Sequence, residues 1–337
     1  MSNRVDNLLA NYVNLDYQAE IDKIDSRIRA TLRESLHRRG LVVAISGGID
    51  SSVCAALAVS AIGAKRVYGI LMPETDSSSD SLRRGQALAN HLGINYTIQD
   101  IAPTLEAIGC YKWRDDAIKS AVPEYGEGWK NKIIIDGGTQ GKINHFNLVV
   151  EDPEGNRQTK RLSLSNYLTI VAATNFKQRV RKNMDYFHAD RLNYAVVGTP
   201  NRVEYDQGFF VKGGDGLADI KPIAHLYKTQ VYDLARFMNL PEEICSATPT
   251  TDTYSLSQGQ DEFYFSLPYN KMDVALWCYN NSKDVGTLAH ALSVSEEQAQ
   301  FIYKDIETKR KTTKYLHLQS LLIDQVDLSH QHKTAGQ

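Results

Sequence analysis

Cysteine is scarce in this chain. Cys54, Cys110, Cys245 and Cys278 are scattered through 337 residues, with no CxxC pair and no histidine at ligand spacing. That excludes a disulfide framework and a cysteine-based zinc site, and leaves four reduced thiols in the interior. No apolar run approaches the roughly 20 residues a membrane helix needs. The N-terminus, MSNRVDNLLANYVNLDYQAE, lacks the apolar core of a signal peptide, so a cytoplasmic protein is expected. Charge of neither sign prevails: 38 Lys and Arg against 40 Asp and Glu leave a net charge of −2. Nucleic acid and membrane surfaces therefore have no electrostatic claim on the chain as a whole. A Walker lysine and a GxGxxG fingerprint are both missing, and no internal repeat is visible.

What remains is an ordinary globular composition, 42% hydrophobic and 23% charged, which is enough to bury a sizeable core. Ile21, Ile24, Ile28, Leu32 and Leu36 recur at steps of three and four, predicting an amphipathic helix from Tyr17 to Arg39 that ends at Gly40. Strands are predicted at 41–45, 66–72, 94–99 and 194–197. Helices are predicted at 51–62, 79–92, 165–184, 225–238 and 269–280. A last helix starts near Ser293, where Ser293-Val294-Ser295-Glu296 has the form of a capping box. Strands alternating with helices give an α/β fold, a doubly wound parallel sheet flanked by helices. Residues 103–163 break that rhythm. They read as an insertion with its own small sheet, a β-hairpin of 147–151 and 158–163 around Asp152-Pro153-Glu154-Gly155-Asn156. Residues 1–325 are read as one domain and 326–337 as a polar tail.

The sharpest local feature is Ser46-Gly47-Gly48-Ile49-Asp50-Ser51-Ser52, between a buried strand and a helix. Glycines let backbone N–H groups curl toward an anion, hydroxyls add donors, and the helix N-terminus offers its positive end to phosphate. Asp50 would repel phosphate directly, so it makes sense as a ligand to Mg²⁺ that bridges to the phosphate oxygens. The bland reading is a Gly-Gly turn with an acidic first helical turn.

This segment resembles the SGGxDS pyrophosphate loop of the N-type ATP pyrophosphatases, which cleave ATP between the α and β phosphates. The wider chain, from about residue 17 to 310, resembles the ammonia-dependent NAD⁺ synthases of that superfamily. Leu71-Met72-Pro73 with Ser77, Ser78 and Ser81 resembles the motif beside the adenosine. Asn175-Phe176-Lys177-Gln178-Arg179-Val180-Arg181 resembles an Arg-rich helix. Gly198-Thr199, Glu204, Gly208-Phe209-Phe210, Lys212, Gly214-Asp215-Gly216, Asp219, Pro222 and Lys228 match a long central signature, and Pro249-Thr250 with Asp252 matches a further segment.

The resemblance implies an adenine nucleotide alpha hydrolase-like fold and amidation of deamido-NAD by ammonia, giving NAD⁺, AMP and pyrophosphate through an acyl-adenylate. It implies that Ser46, Gly47, Gly48, Asp50, Ser51, Ser52, Leu71, Thr199, Lys228 and Thr250 bind ATP, and that Asp50 and Glu204 hold Mg²⁺. Arg179 from a partner subunit, Lys212, Asp219 and Lys309 would bind deamido-NAD, in a homodimer with shared sites. Lys228 would neutralise the α-phosphate, and Asp219 would hold and deprotonate ammonium. Lys212–Gly216 and 246–262 are candidate lids. With the whole length taken by the synthase-like part, ammonia is expected free or from a separate protein.

Each residue has a plainer competitor. Lys228 alone would pass for a surface lysine, Asp215 and Asp219 for turn formers, and Lys309 for part of a helix C-terminal charge cluster. Arg179 and Arg181 lie two apart and cannot share a helix face, and the family spacing favours Arg179. The chain departs from the family at Pro200-Asn201-Arg202, at Thr308 and in its long insertion. Amidation of a different small carboxylic acid, or a non-catalytic adenine-nucleotide sensor, therefore stays open.

Overall fold

The computed structural model describes residues 15–136, 145–247, 254–256, 267–324 and 326. Four parallel strands form the main sheet, β1 (Leu41–Ala44), β2 (Val67–Leu71), β3 (Asn95–Ile98) and β7 (Ala195–Val197), in the order β3-β2-β1-β7. The register pairs Val42 with Tyr68 on one side and with Val196 on the other. The alternation of side chains along each strand decides which layer receives them. Leu41, Val43, Val67, Leu71, Ala195 and Val197 enter one apolar cluster with the helices Tyr17–Ala30, Ile49–Ile62 and Lys228–Phe237. Val42, Ile70 and Val196 face the opposite cluster, with the helices Ala102–Ala107, Cys110–Lys119 and Leu164–Leu192. Both faces of the sheet are covered, as buried parallel strands require, and the doubly wound α/β expectation is borne out.

Helix ends follow local chemistry. Asp16 caps the first helix by accepting from the Ala19 amide at 3.0 Å. The α-helix stops at Ala30 and continues as a π-helical turn to Leu36, with His37 in the left-handed region. Helix Ser79–Leu92 ends on left-handed Gly93, where the sequence placed its end. The final helix, Glu296–Thr313, is capped by Ser295 with Gln298, two residues later than the expected Ser293 box. Ser293 instead closes the preceding helix, Val285–Leu292, in the left-handed region.

The insertion is richer than a hairpin. A further strand, β4 (Lys130–Asp136), pairs antiparallel with β5 (His145–Glu151), which pairs with β6 (Arg157–Arg161). Only the β5–β6 hairpin and its Asp152–Asn156 connection had been read from the sequence. The helices at 102–119 had not. Ile133, Leu148 and Val150 pack with Ile118, Ile170 and Tyr254, tying this sheet to the main body. The helix after it runs from Leu164 to Leu192, eight residues past the predicted end, and Ser163 caps it. All four cysteines are free and buried. Among the described residues, no helix is long and apolar enough to cross a membrane.

Candidate active site

One cavity of about 670 Å³ opens at the C-terminal ends of β1, β2 and β7, where parallel α/β sheets place their ligand sites. The Ser46–Ser52 loop forms its floor. Gly47 takes φ +77°, and a Cβ there would meet the Ser81 carbonyl oxygen at 2.2 Å, so only glycine fits. The turn is locked from within. Gly48 N–H donates to Ser46 Oγ (3.3 Å), Ser51 Oγ donates to the Gly48 carbonyl (3.0 Å), and Arg84 Nε donates to the Gly47 carbonyl (3.1 Å). The amides of Ile49, Asp50 and Ser51 precede the first helical bond, Ser52 N to Gly48 O, so they form the anion-seeking end of the helix. Ser52 is fully buried, and its hydroxyl turns back to Gly48 O at 2.8 Å rather than into the cavity.

Above the loop stands a charge cluster. The Lys228 ammonium, with only 3% of its side chain exposed, pairs with Asp50. Burial pushes its pKa down, yet the carboxylates of Asp50 and Glu204 outweigh that and hold it above the usual lysine range. The backbone of Lys228 is itself fixed by Asp273, which accepts from the amides of Lys228 and Thr229. Asn201 is 1% exposed and joins the two acids. Its Nδ2 donates to Asp50 Oδ1 at 3.1 Å, and its backbone N–H donates to Glu204 Oε2 at 3.1 Å. Asn201 also caps the helix Arg202–Gln207 in a complete capping box with Glu204. The departure from the family pattern at 200–202 thus supplies a buried bridge between the acids. An N-x-x-E capping signal was present in the sequence, but its link to Asp50 was not.

Leu71, Met72, Ser77, Ser78 and Thr199 line the cavity. Thr250, Pro249 and Asp252 lie outside the described residues. So does most of the candidate lid at 246–262.

Of the four residues expected to bind the acid substrate, one lines the cavity. Lys309 lines the cavity and pairs with Asp305 at 2.6 Å, and burial lowers its pKa. Lys212 and Asp219 are directed elsewhere, and Arg179, expected to serve a neighbouring copy, stands outside the cavity of its own chain. Arg179 is exposed and donates to the Lys212 carbonyl at 3.2 Å, whereas Arg181 lines the cavity and reaches Met72 O and Ser77 Oγ, both at 3.4 Å. Lys212 Nζ turns outward to the carbonyls of Tyr315 and Leu318 at 2.9 and 3.2 Å. Asp219 leaves the cavity because its carboxylate finishes the sheet edge. It accepts from Val196 N at 2.7 Å and from Tyr186 OH at 3.2 Å. Asp215 is the acid of that loop which does face the cavity, accepting from Val211 N at 2.7 Å, and burial raises its pKa. Lys182 and Asp185, a buried pair 2.8 Å apart, also line this end and had not been singled out.

The NAD synthase family model matches residues 20–122 and 148–314. The chain belongs to the NAD synthase family. It is 54% identical over 319 residues to the NH(3)-dependent NAD(+) synthetase of Rhizobium meliloti, covering 94% of this chain and 95% of that protein. It is 36% identical over 256 residues to the protein of the same name from Thermotoga maritima, covering 75% and 84%. The fold is also that of an NH3-dependent NAD synthetase from Campylobacter jejuni, with a TM-score of 0.60 at 21% identity and coverage of 92% of this chain and 100% of that one. Residues 123–147 fall outside the family match, a shorter stretch than the 103–163 read as inserted.

Proposed function

We propose that this member of the NAD synthase family amidates deamido-NAD with ammonia, using ATP and releasing AMP and pyrophosphate. The observation that carries the reading is the Asp50–Asn201–Glu204 bridge with Lys228, set over an anion-binding loop in one cavity. A carboxylate oxygen of the nicotinate attacks the α-phosphorus, and the bond to the outgoing diphosphate breaks. The loop amides and the helix N-terminus receive that diphosphate. Lys228 neutralises charge at the α-phosphate. Ammonia then attacks the acyl carbon, and the C–O bond to AMP breaks. Asp215 holds ammonium and takes its proton, the role assigned from the sequence to Asp219. Burial favours the protonated carboxyl, so accepting that proton is favourable there. Arg181 and Lys309 face the anionic groups of the bound molecules.

Asp50 and Glu204 fit a Mg²⁺ ion. They would supply two hard oxygen donors from the wall of one cavity. Such an ion supplies charge neutralisation along the triphosphate. The buried thiols accord with a cytoplasmic setting.

The protein works as a homodimer. Leu164, Leu168, Ala172, Phe176 and Phe187 follow one another at helical spacing on Leu164–Leu192, and Leu164, Leu168 and Phe187 are 71%, 53% and 57% exposed. Arg179 lies on the same exposed side, placed to serve a neighbouring copy. Leu168→Glu should convert the dimer to monomer in sedimentation velocity, and an unchanged dimer would remove this stripe from the interface.

Incubation with ATP, Mg²⁺, ammonium and deamido-NAD should yield NAD⁺ and AMP in equal amounts. AMP with another carboxylic acid only would redirect the substrate assignment, and no AMP with any acid would leave a nucleotide sensor.

A further inference from the structure

The stretch outside the family match packs behind Tyr254 of the cavity wall, and its Asn131 holds the two residues that follow. Asn131 lies in β4 and is 1% exposed. Its backbone N–H donates to Ser255 Oγ at 2.8 Å, its Nδ2 donates to the same oxygen at 3.3 Å, and its carbonyl accepts from Leu256 N at 3.1 Å. Its Nδ2 also donates to Tyr125 OH at 2.8 Å, which holds the amide in place. One main-chain bond and two bonds to the Ser255 hydroxyl therefore tie the insertion to residues 255–256.

The residue before this clasp is Tyr254. It is buried among Ile133, Leu148 and Val150 of the insertion sheet, and it lines the cavity with Tyr167, Val171 and Thr174. Tyr254 is held by the apolar cluster below, by Thr174 and by the Asn131 clasp beside it. Losing the clasp frees the 254–256 backbone while leaving the cluster residues in place.

We propose that Asn131 is a positioning residue: by clasping Ser255 and Leu256 it fixes Tyr254 as a wall that keeps water from the activated acyl group. The inference rests on the acyl-adenylate reading above. An acyl-adenylate that meets water gives back the acid plus AMP, the acyl C–O bond breaking as water supplies the new oxygen. A loosened wall therefore spends ATP without making amide.

The test is the ratio of AMP released to amide formed, measured at limiting ammonium on the full chain. Wild type should give one AMP per amide. Asn131→Ala keeps the main-chain bonds to Ser255 and Leu256 and loses both Nδ2 bonds, and it should raise that ratio. Ser255→Ala removes only a hydroxyl and guards against a misfolded Asn131 variant, and it should raise the ratio in the same direction. The double variant should add little to the larger single effect, since both remove the Asn131 Nδ2–Ser255 Oγ bond. Gln158→Ala, on the outer strand of the same sheet, should keep the wild-type ratio. Ratios that stay at one in both clasp variants, or a change confined to KM, would overturn the proposal. A wild type that forms neither product would instead refute the amidation reading itself.

Discussion

The two ends of the cavity are built by different means. The loop itself is local. Ser46, Gly47, Gly48, Asp50 and Ser51 come from one strand–turn–helix, and Lys228 and Asn201 each stand at a helix start that fixes their backbone. The opposite end is assembled from distant pieces. Arg181 and Lys182 come from a long central helix, Asp215 from a glycine-rich turn, Lys309 from the last helix and Tyr254 from a segment held by the insertion. Backbone amides at a helix start cost no rearrangement when phosphate arrives, so the loop is preorganised. The far end depends on side chains whose placement is set by tertiary packing, and there substrate selection can drift without loss of ATP chemistry.

Breaking the loop end should give the largest effect. Asp50→Asn should lower AMP formation by about 10²–10³-fold with KM for the acid little changed, as read by initial rates. At the far end, Lys309→Met should act mainly on the acid. Losing one charge-assisted contact costs about 1.5–3 kcal/mol and should appear as a raised KM for deamido-NAD, with ATP-dependent behaviour kept.

Alkali samples both ends together. Tyr232, in the cavity wall, and Tyr125, in the insertion core, are each pushed up to about 12, first by burial. The unfolded chain loses these protons near pH 10 while the folded one retains them. Their stabilising contribution is therefore full below about pH 10 and fades between about 10 and 12, and thermal denaturation across that window should show Tm falling. The smallest effect should come from Lys212→Ala. Its ammonium serves the Tyr315 and Leu318 carbonyls outside the cavity, so stability should move by no more than about 0.5 kcal/mol in urea titration and kcat should hold.

The same contrast explains what could be read from the sequence. The four core strands, the Ser79–Leu92 helix with its Gly93 stop and the 46–52 loop are written in contiguous residues. So is the Asn201–Glu204 capping box. That Asn201 also reaches Asp50 depends on two segments 151 positions apart, which no local pattern encodes. Spacing separated Arg179 from Arg181 onto different faces but could not say which face met the cavity, and packing put Arg181 there. Asp215 and Asp219 are equivalent on paper. The Val196 amide, a strand edge seeking an acceptor, takes Asp219 out of the cavity. β4 went unread because its stability comes from pairing with β5 rather than from its own alternation.

The central claim concerns which bond to oxygen is made and broken. Deamido-NAD carrying ¹⁸O in its nicotinate carboxylate, incubated with ATP and ammonium, decides it by mass spectrometry of the nucleotide product. Attack of that carboxylate on the α-phosphorus predicts one ¹⁸O in each AMP and none in pyrophosphate. Label appearing in orthophosphate, with ADP as the nucleotide, would contradict it.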